Sequence, residues 1–166
     1  MTEVFKLNKK CSKCGHVVCI SLSKIQAAFD TYDTNKFSKE NCCNCGANQW
    51  KEMSITTPKL DLELLDIWGN TLDYHFWEQD EDLMFSSAGE IDIILSAINK
   101  DEYLPEKMGI LLSTLFVILY DAKENNLVDL ELKVLKYLQE NHDIINKYQN
   151  HIDSYLKEKV LPIINY

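Results

Sequence analysis

Apolar and polar positions change rhythm twice along the chain. Before Pro58 the apolar residues come in short runs, VVCISL and QWKEMSI, that read as strands. Between them, SLSKIQAAFDTYD places Ser23 as an N-cap ahead of Ile25, Ala28, Phe29 and Tyr32 near helical spacing. That spacing predicts one short inserted helix. Past Pro58, LDLELLDIW reads two ways. Leu60, Leu62 and Leu64 alternate with Asp61 and Glu63 as in a strand, whereas Leu64, Leu65 and Trp68 suit one helix face. Gly69-Asn70 is a turn signal, and LDYHFW and DLMFS read as two short strands around the acidic bend EQDED.

From residue 87 the period is helical. Ser87 and Glu90 form a capping box ahead of the stripe Ile91, Ile94, Leu95 and Ile98. Pro105 suits the first turn of a helix through Tyr120, apolar on several faces and so central. Val128, Leu132, Leu135 and Leu138 predict the next helix. Ile144, Ile145, Tyr148, Ile152, Tyr155 and Leu156 predict a last one over 143–160, which Pro162 closes. The expectation is an α+β protein. A small β module over residues 1–58 precedes residues 59–166, an acidic β/turn segment followed by a four-helix bundle.

Composition is globular: 46% of the 166 residues are hydrophobic and 26% charged. The apolar run MGILLSTLFVILY covers residues 108–120. A bilayer crossing needs about 20 residues, so the run predicts a buried helix. MTEVFKLNKK lacks the apolar core of a secretory signal, which predicts a cytoplasmic protein. The net charge of −9 is unevenly spread. Residues 60–106 carry thirteen acids against the single Lys100, whereas residues 1–58 are weakly basic. Every cationic side chain is Lys. Without the bidentate fork of Arg, and with this sign of charge, a dedicated nucleic-acid reader is disfavoured.

The cysteines carry the sharpest chemistry. CSKCGH (11–16) and CCNCG (42–46) each hold a CxxC pair followed by Gly, which turns at positive φ without a Cβ clash. Four thiolates suit tetrahedral Zn²⁺, so Cys11, Cys14, Cys42 and Cys45 are the predicted ligands of a structural ion. The arrangement resembles a zinc ribbon over roughly residues 4–57, with 27 residues between Cys14 and Cys42, long for that family. Cys43 competes with Cys42 by position, but Cys42 keeps the CxxCG register. Cys19, in VVCISL, reads as a buried strand residue, and His16 as a bystander. A thiol–disulfide site needs one exposed CxxC at a helix start in a βαβ setting, which this pattern lacks.

Nothing else commits the chain to catalysis. His75 lies among Tyr74, Trp77, Glu78 and Asp80, a mix that fits a surface imidazole better than an acid–base site. Asp80, Glu81 and Asp82 are consecutive, so their side chains diverge, and they lack EF-hand spacing. HExxH, P-loop, GxSxG and dinucleotide fingerprints are missing from the sequence, and the expectation is a protein that is not an enzyme. His142 and His151 have no nearby partner that suggests a site.

The knuckled amino end, the segment WGNTLDYHFWEQDED, the helix LLSTLFVILYD and the tail IDSYLKEKVLPII together resemble small bacterial immunity proteins of polymorphic toxins. The resemblance implies a non-enzyme that binds a cognate toxin domain and blocks it. Trp77, Glu78, Asp80, Glu81 and Asp82 are the candidate docking residues for a basic, nuclease-like partner. A different expectation, a zinc-ribbon protein associated with nucleic acid or transcription, would rest on Lys9, Lys10 and Lys13 beside the first knuckle.

Overall fold

The computed structural model describes residues 4–29, 39–76 and 91–164. Strands come first and helices follow: β1 (Phe5–Cys11), β2 (Val17–Leu22), α1 (Lys24–Ala28), β3 (Trp50–Ile55), α2 (Leu62–Gly69), α3 (Ile91–Lys100), α4 (Pro105–Glu124), α5 (Val128–Glu140), α6 (His142–Tyr148) and α7 (Ser154–Ile164). This is the expected α+β composition. The described residues fall into two compact units. One runs to Lys59 and includes Tyr74, His75 and Phe76; the other holds Leu60–Asp73 and the helices from α3 onward.

In the first unit β1 is the central strand of an antiparallel sheet ordered β2–β1–β3. Alternation along β1 buries Phe5, Leu7, Lys9 and Cys11 on one face, so a single strand runs from the apolar core to the first cysteine. Phe5, Leu7, Leu22 and Ala27 form that core, with Val18, Ile20 and Ile55 packed against it. Cys19 points the other way and is exposed, against expectation. In β2 the inward face belongs to Val18, Ile20 and Leu22, and period-two geometry turns Cys19 outward with Val17 and Ser21. The inserted helix forms as α1, with Ser23 and Gln26 in a reciprocal capping box. Its end is fixed by Phe29, whose ring lies 4.8 Å from that of Phe76 and 5.2 Å from that of Tyr74.

The second unit settles the ambiguous stretch after Pro58. It is helix α2, not strand: Asp61 caps it by accepting from the Leu64 N–H at 2.9 Å, and Leu64, Leu65 and Trp68 are buried together. α4 is the central helix, with Pro105 in its first turn and twelve of its twenty residues buried. The α5 stripe differs from expectation. Val134 and Leu138 are buried, while Val128 and Leu132 are exposed. The predicted 143–160 helix is two helices, α6 and α7. Asp153 ends the break between them, since its carboxylate accepts from the Leu156 N–H at 3.0 Å and its own N–H donates to buried Ser113 Oγ at 3.1 Å. α7 continues through Pro162 to Ile164 rather than closing before it. This unit therefore holds six helices among the described residues, where four were expected. DLMFS and the capping box at Ser87 lie outside the described residues, whereas LDYHFW is described through Phe76 and forms turn and irregular backbone there rather than the expected strand. Among those that are described, Phe76 makes only an isolated bridge to Phe29. No described helix is long and apolar enough to cross a membrane.

Two Asp–Lys–Tyr clusters tie these helices together. Asp66 accepts from Lys100 Nζ and Tyr103 Oη, each at 2.6 Å. Asp101 accepts from Lys147 Nζ at 2.6 Å and Tyr148 Oη at 2.7 Å. Burial raises the Asp66 pKa, but the Lys100 ammonium and Tyr103 hydroxyl outweigh it and leave the carboxyl below its usual value. The Lys147 and Tyr148 hydrogen bonds depress Asp101 likewise. A carboxyl whose folded pKa is depressed stabilises the fold above its unfolded value of about 4, and that contribution is lost as pH falls through the folded pKa. Urea midpoints should therefore fall between pH 5 and pH 2, with each partly exposed cluster contributing about 1 kcal/mol or less. Asp66→Asn with Asp101→Asn should flatten that dependence; an equally steep profile in the double variant would assign the acid sensitivity to other groups.

Candidate metal centre

The two knuckles repeat the same backbone geometry. Gly15 N–H donates to the Cys11 carbonyl at 2.9 Å, and Gly46 N–H to the Cys42 carbonyl at 2.7 Å. Cys11 N–H returns to the His16 carbonyl at 2.9 Å, and Cys42 N–H to that of Ala47 at 2.8 Å. Gly15 and Gly46 sit at φ +75° and +71°, and a Cβ at either would touch nothing within 4 Å. The demand for glycine is therefore conformational and owes nothing to crowding. Ser12 N–H donates to the Gln49 carbonyl at 2.9 Å, which joins the first knuckle to the chain leaving the second.

This geometry brings together the four cysteines chosen from spacing. The sulfurs of Cys11, Cys14, Cys42 and Cys45 all lie within 4.8 Å of one another. The cross-knuckle pairs are 3.6 Å (Cys11–Cys45) and 3.5 Å (Cys14–Cys42). A tetrahedral site with Zn–S of about 2.3 Å has S···S edges of about 3.8 Å, so the cluster has the dimensions of a four-thiolate metal site. All six cysteines are free thiols. Cys11 and Cys42 are buried, Cys45 is half-buried and Cys14 is exposed.

The four thiols differ in how readily they ionise. The Asn44 side chain and the His16 N–H stabilise the Cys14 thiolate and bring its pKa down to about 6. The Cys14 and Lys13 N–H groups favour the Cys11 thiolate and lower its pKa as well. Cys45 is favoured by the Ala47 N–H, yet burial and the three neighbouring cysteines outweigh it and push the thiol up to about 12. Four thiolates this close cannot all ionise on their own, and a divalent cation at their centre removes the conflict.

Lys9 lies two residues before Cys11 on the same face of β1. It is 1% exposed, its Nζ lies 3.8 Å from the Trp50 ring centroid, and it pairs with Glu40 at 3.7 Å. Trp50 Nε1 donates to the Glu40 carbonyl at 3.1 Å, which holds the chain entering the second knuckle. Lys9 is thus committed to internal contacts and is withdrawn from the basic surface expected of it; Lys10 and Lys13 remain exposed. The hydrophobic-face position of Lys9 in the β1 alternation was the signal that could have shown this.

Cys43 does not join the four. It is exposed, with its sulfur 3.3 Å from His16 Nε2. Cys42 takes the cluster position, as its register implied. The first cysteine pair starts at the end of β1 and the second lies in a turn ahead of β3, and neither opens a described helix as the cysteines of a thiol–disulfide centre do. His75, His142 and His151 are exposed. The candidate docking residues Trp77, Glu78, Asp80, Glu81 and Asp82 lie outside the described residues. Comparison with protein-family models, with curated proteins and with solved structures gave no match to the chain.

Proposed function

We propose that Cys11, Cys14, Cys42 and Cys45 hold Zn²⁺ as a structural ion, and that the chain is a non-catalytic protein-binding protein. In this reading it is an immunity protein that neutralises a cognate toxin domain. The convergence of four sulfurs on one tetrahedral volume is the observation that carries the zinc assignment. Four thiolates saturate the ion and leave no open position for water or substrate, so the metal stabilises the fold and takes no part in chemistry. The working surface is then sought elsewhere, in the segment 60–106 with its thirteen acids and one Lys. A concentration of acids suits a basic partner such as a nuclease, because complementary charge speeds encounter and discourages wrong partners.

The test is to read the neighbouring genes for a toxin and to co-express its toxic domain with this chain; neighbours without a toxin contradict the reading. Restored growth and a co-purifying 1:1 complex support the reading; continued toxicity contradicts it. Reversing Asp80, Glu81 and Asp82 to Lys should slow association about tenfold or more at low salt without disturbing the fold. An unchanged association rate would remove that bend as the docking patch. Tight, steeply salt-dependent binding to generic DNA or RNA would favour the nucleic-acid reading instead.

A further inference from the structure

We infer that His16 and Cys43 form a second metal site beside the four-cysteine cluster, suited to a soft monovalent cation of the Cu(I) class. The inference rests on the reading that the four cysteines are saturated by zinc. The two donor atoms come from opposite knuckles, 27 residues apart in sequence, and meet at 3.3 Å on an exposed surface. Their backbones are fixed by the knuckle hydrogen bonds: the His16 carbonyl accepts from Cys11, and Cys43 follows Cys42, whose N–H donates to Ala47. Ser12 stands in the first knuckle where Cys43 stands in the second, and its hydroxyl is spent on the Gln49 carbonyl at 3.1 Å. The repeat therefore offers the sulfur–nitrogen pair once.

The donor set selects the cation. A thiolate and an imidazole are soft and borderline ligands that suit copper and zinc. Zinc asks for four ligands and finds them in the neighbouring cluster, whereas a d¹⁰ monovalent ion is satisfied by two, for which the two exposed side chains open from 3.3 Å to about 4 Å. On binding, the Cys43 thiol gives its proton to solvent and the neutral imidazole lends the Nε2 lone pair, with no change of oxidation state. Cys19 is also an exposed thiol, on the outward face of β2, and serves as a control.

Zinc-loaded full-length protein titrated with one equivalent of Cu(I) under anaerobic conditions should give a mixed species with one Zn and one Cu by native mass spectrometry. Cys43→Ser and His16→Gln should each lose the copper and keep the zinc, while Cys19→Ser keeps both. Copper that displaces zinc in the unaltered protein, or a mixed species that survives in Cys43→Ser or His16→Gln, overturns the proposal and leaves a hydrogen-bonded pair only. Loss of zinc in Cys43→Ser also overturns it, by making Cys43 a ligand of the first ion. Unaltered protein that carries no zinc contradicts the zinc reading itself, and this is read before copper is added.

Discussion

Treatment with a strong chelator, or replacement of Cys14 with Ser, should unfold the first unit and spare most of the helical signal. The described core of the sheet is built on Phe5, Leu7, Leu22 and Ala27, and units of this size commonly lean on a metal ion or other staple to fold. Structural zinc contributes on the order of 10–16 kcal/mol of apparent binding free energy at neutral pH in small modules, and without it such modules are unfolded. Trp50 is a local reporter, because β1 pairs it with Cys11 and Lys9 stacks on its ring. Amide spectra should show residues 5–22 and 50–55 collapsing to random-coil shifts in the apo protein while α4 and α5 resonances persist. An apo protein with its strand resonances intact would contradict the staple assignment.

The second large effect belongs to Gly109 in α4. A Cβ built there overlaps the backbone carbonyl and Cβ of His151, in the break between α6 and α7. The obstacle is main chain, so no rotamer change relieves it. Gly109→Ala gains helix propensity of about 1 kcal/mol, but overpacking against a backbone costs typically 1–3 kcal/mol and more where it cannot relax. We expect net destabilisation of about 2 kcal/mol, a clear drop in the urea midpoint. Gly109→Val should be worse. A midpoint that rises with Gly109→Ala would mean that the α6–α7 link yields freely.

The amino half of the fold was legible because its rules are local. CxxCG fixes a turn by itself, and Ser23 marks a helix start ahead of Ile25 and Ala28, so the four sulfurs and α1 followed from spacing, while Gln26 as the reciprocal cap went unread. The errors arose where a partner element decides. α5 carries apolar residues at 128, 130, 132, 134, 135 and 138, enough for two overlapping stripes. Packing selects the one with Val134 and Leu138 and leaves Val128 and Leu132 in solvent. Cys19 sits in an unbroken apolar run, and only the sheet face chosen by Leu22 turns it outward. Lys9 is the sharpest case. Composition makes it a surface cation, yet strand alternation seats it on the inner face, where Trp50 and Glu40 receive its ammonium. In the helical half, Asp61 and Asp153 were unread caps, each resolving a segment whose periodicity alone was ambiguous or overlong.

The central claim is that the cysteine cluster is a closed zinc site and the protein's work is done elsewhere. Zinc K-edge X-ray absorption on the purified protein tests it most directly. The account predicts one zinc per chain with four sulfur neighbours at about 2.3 Å and no lighter atom in the inner sphere. An oxygen or nitrogen scatterer at about 2.0 Å in place of one sulfur would open the site to water or substrate and contradict it.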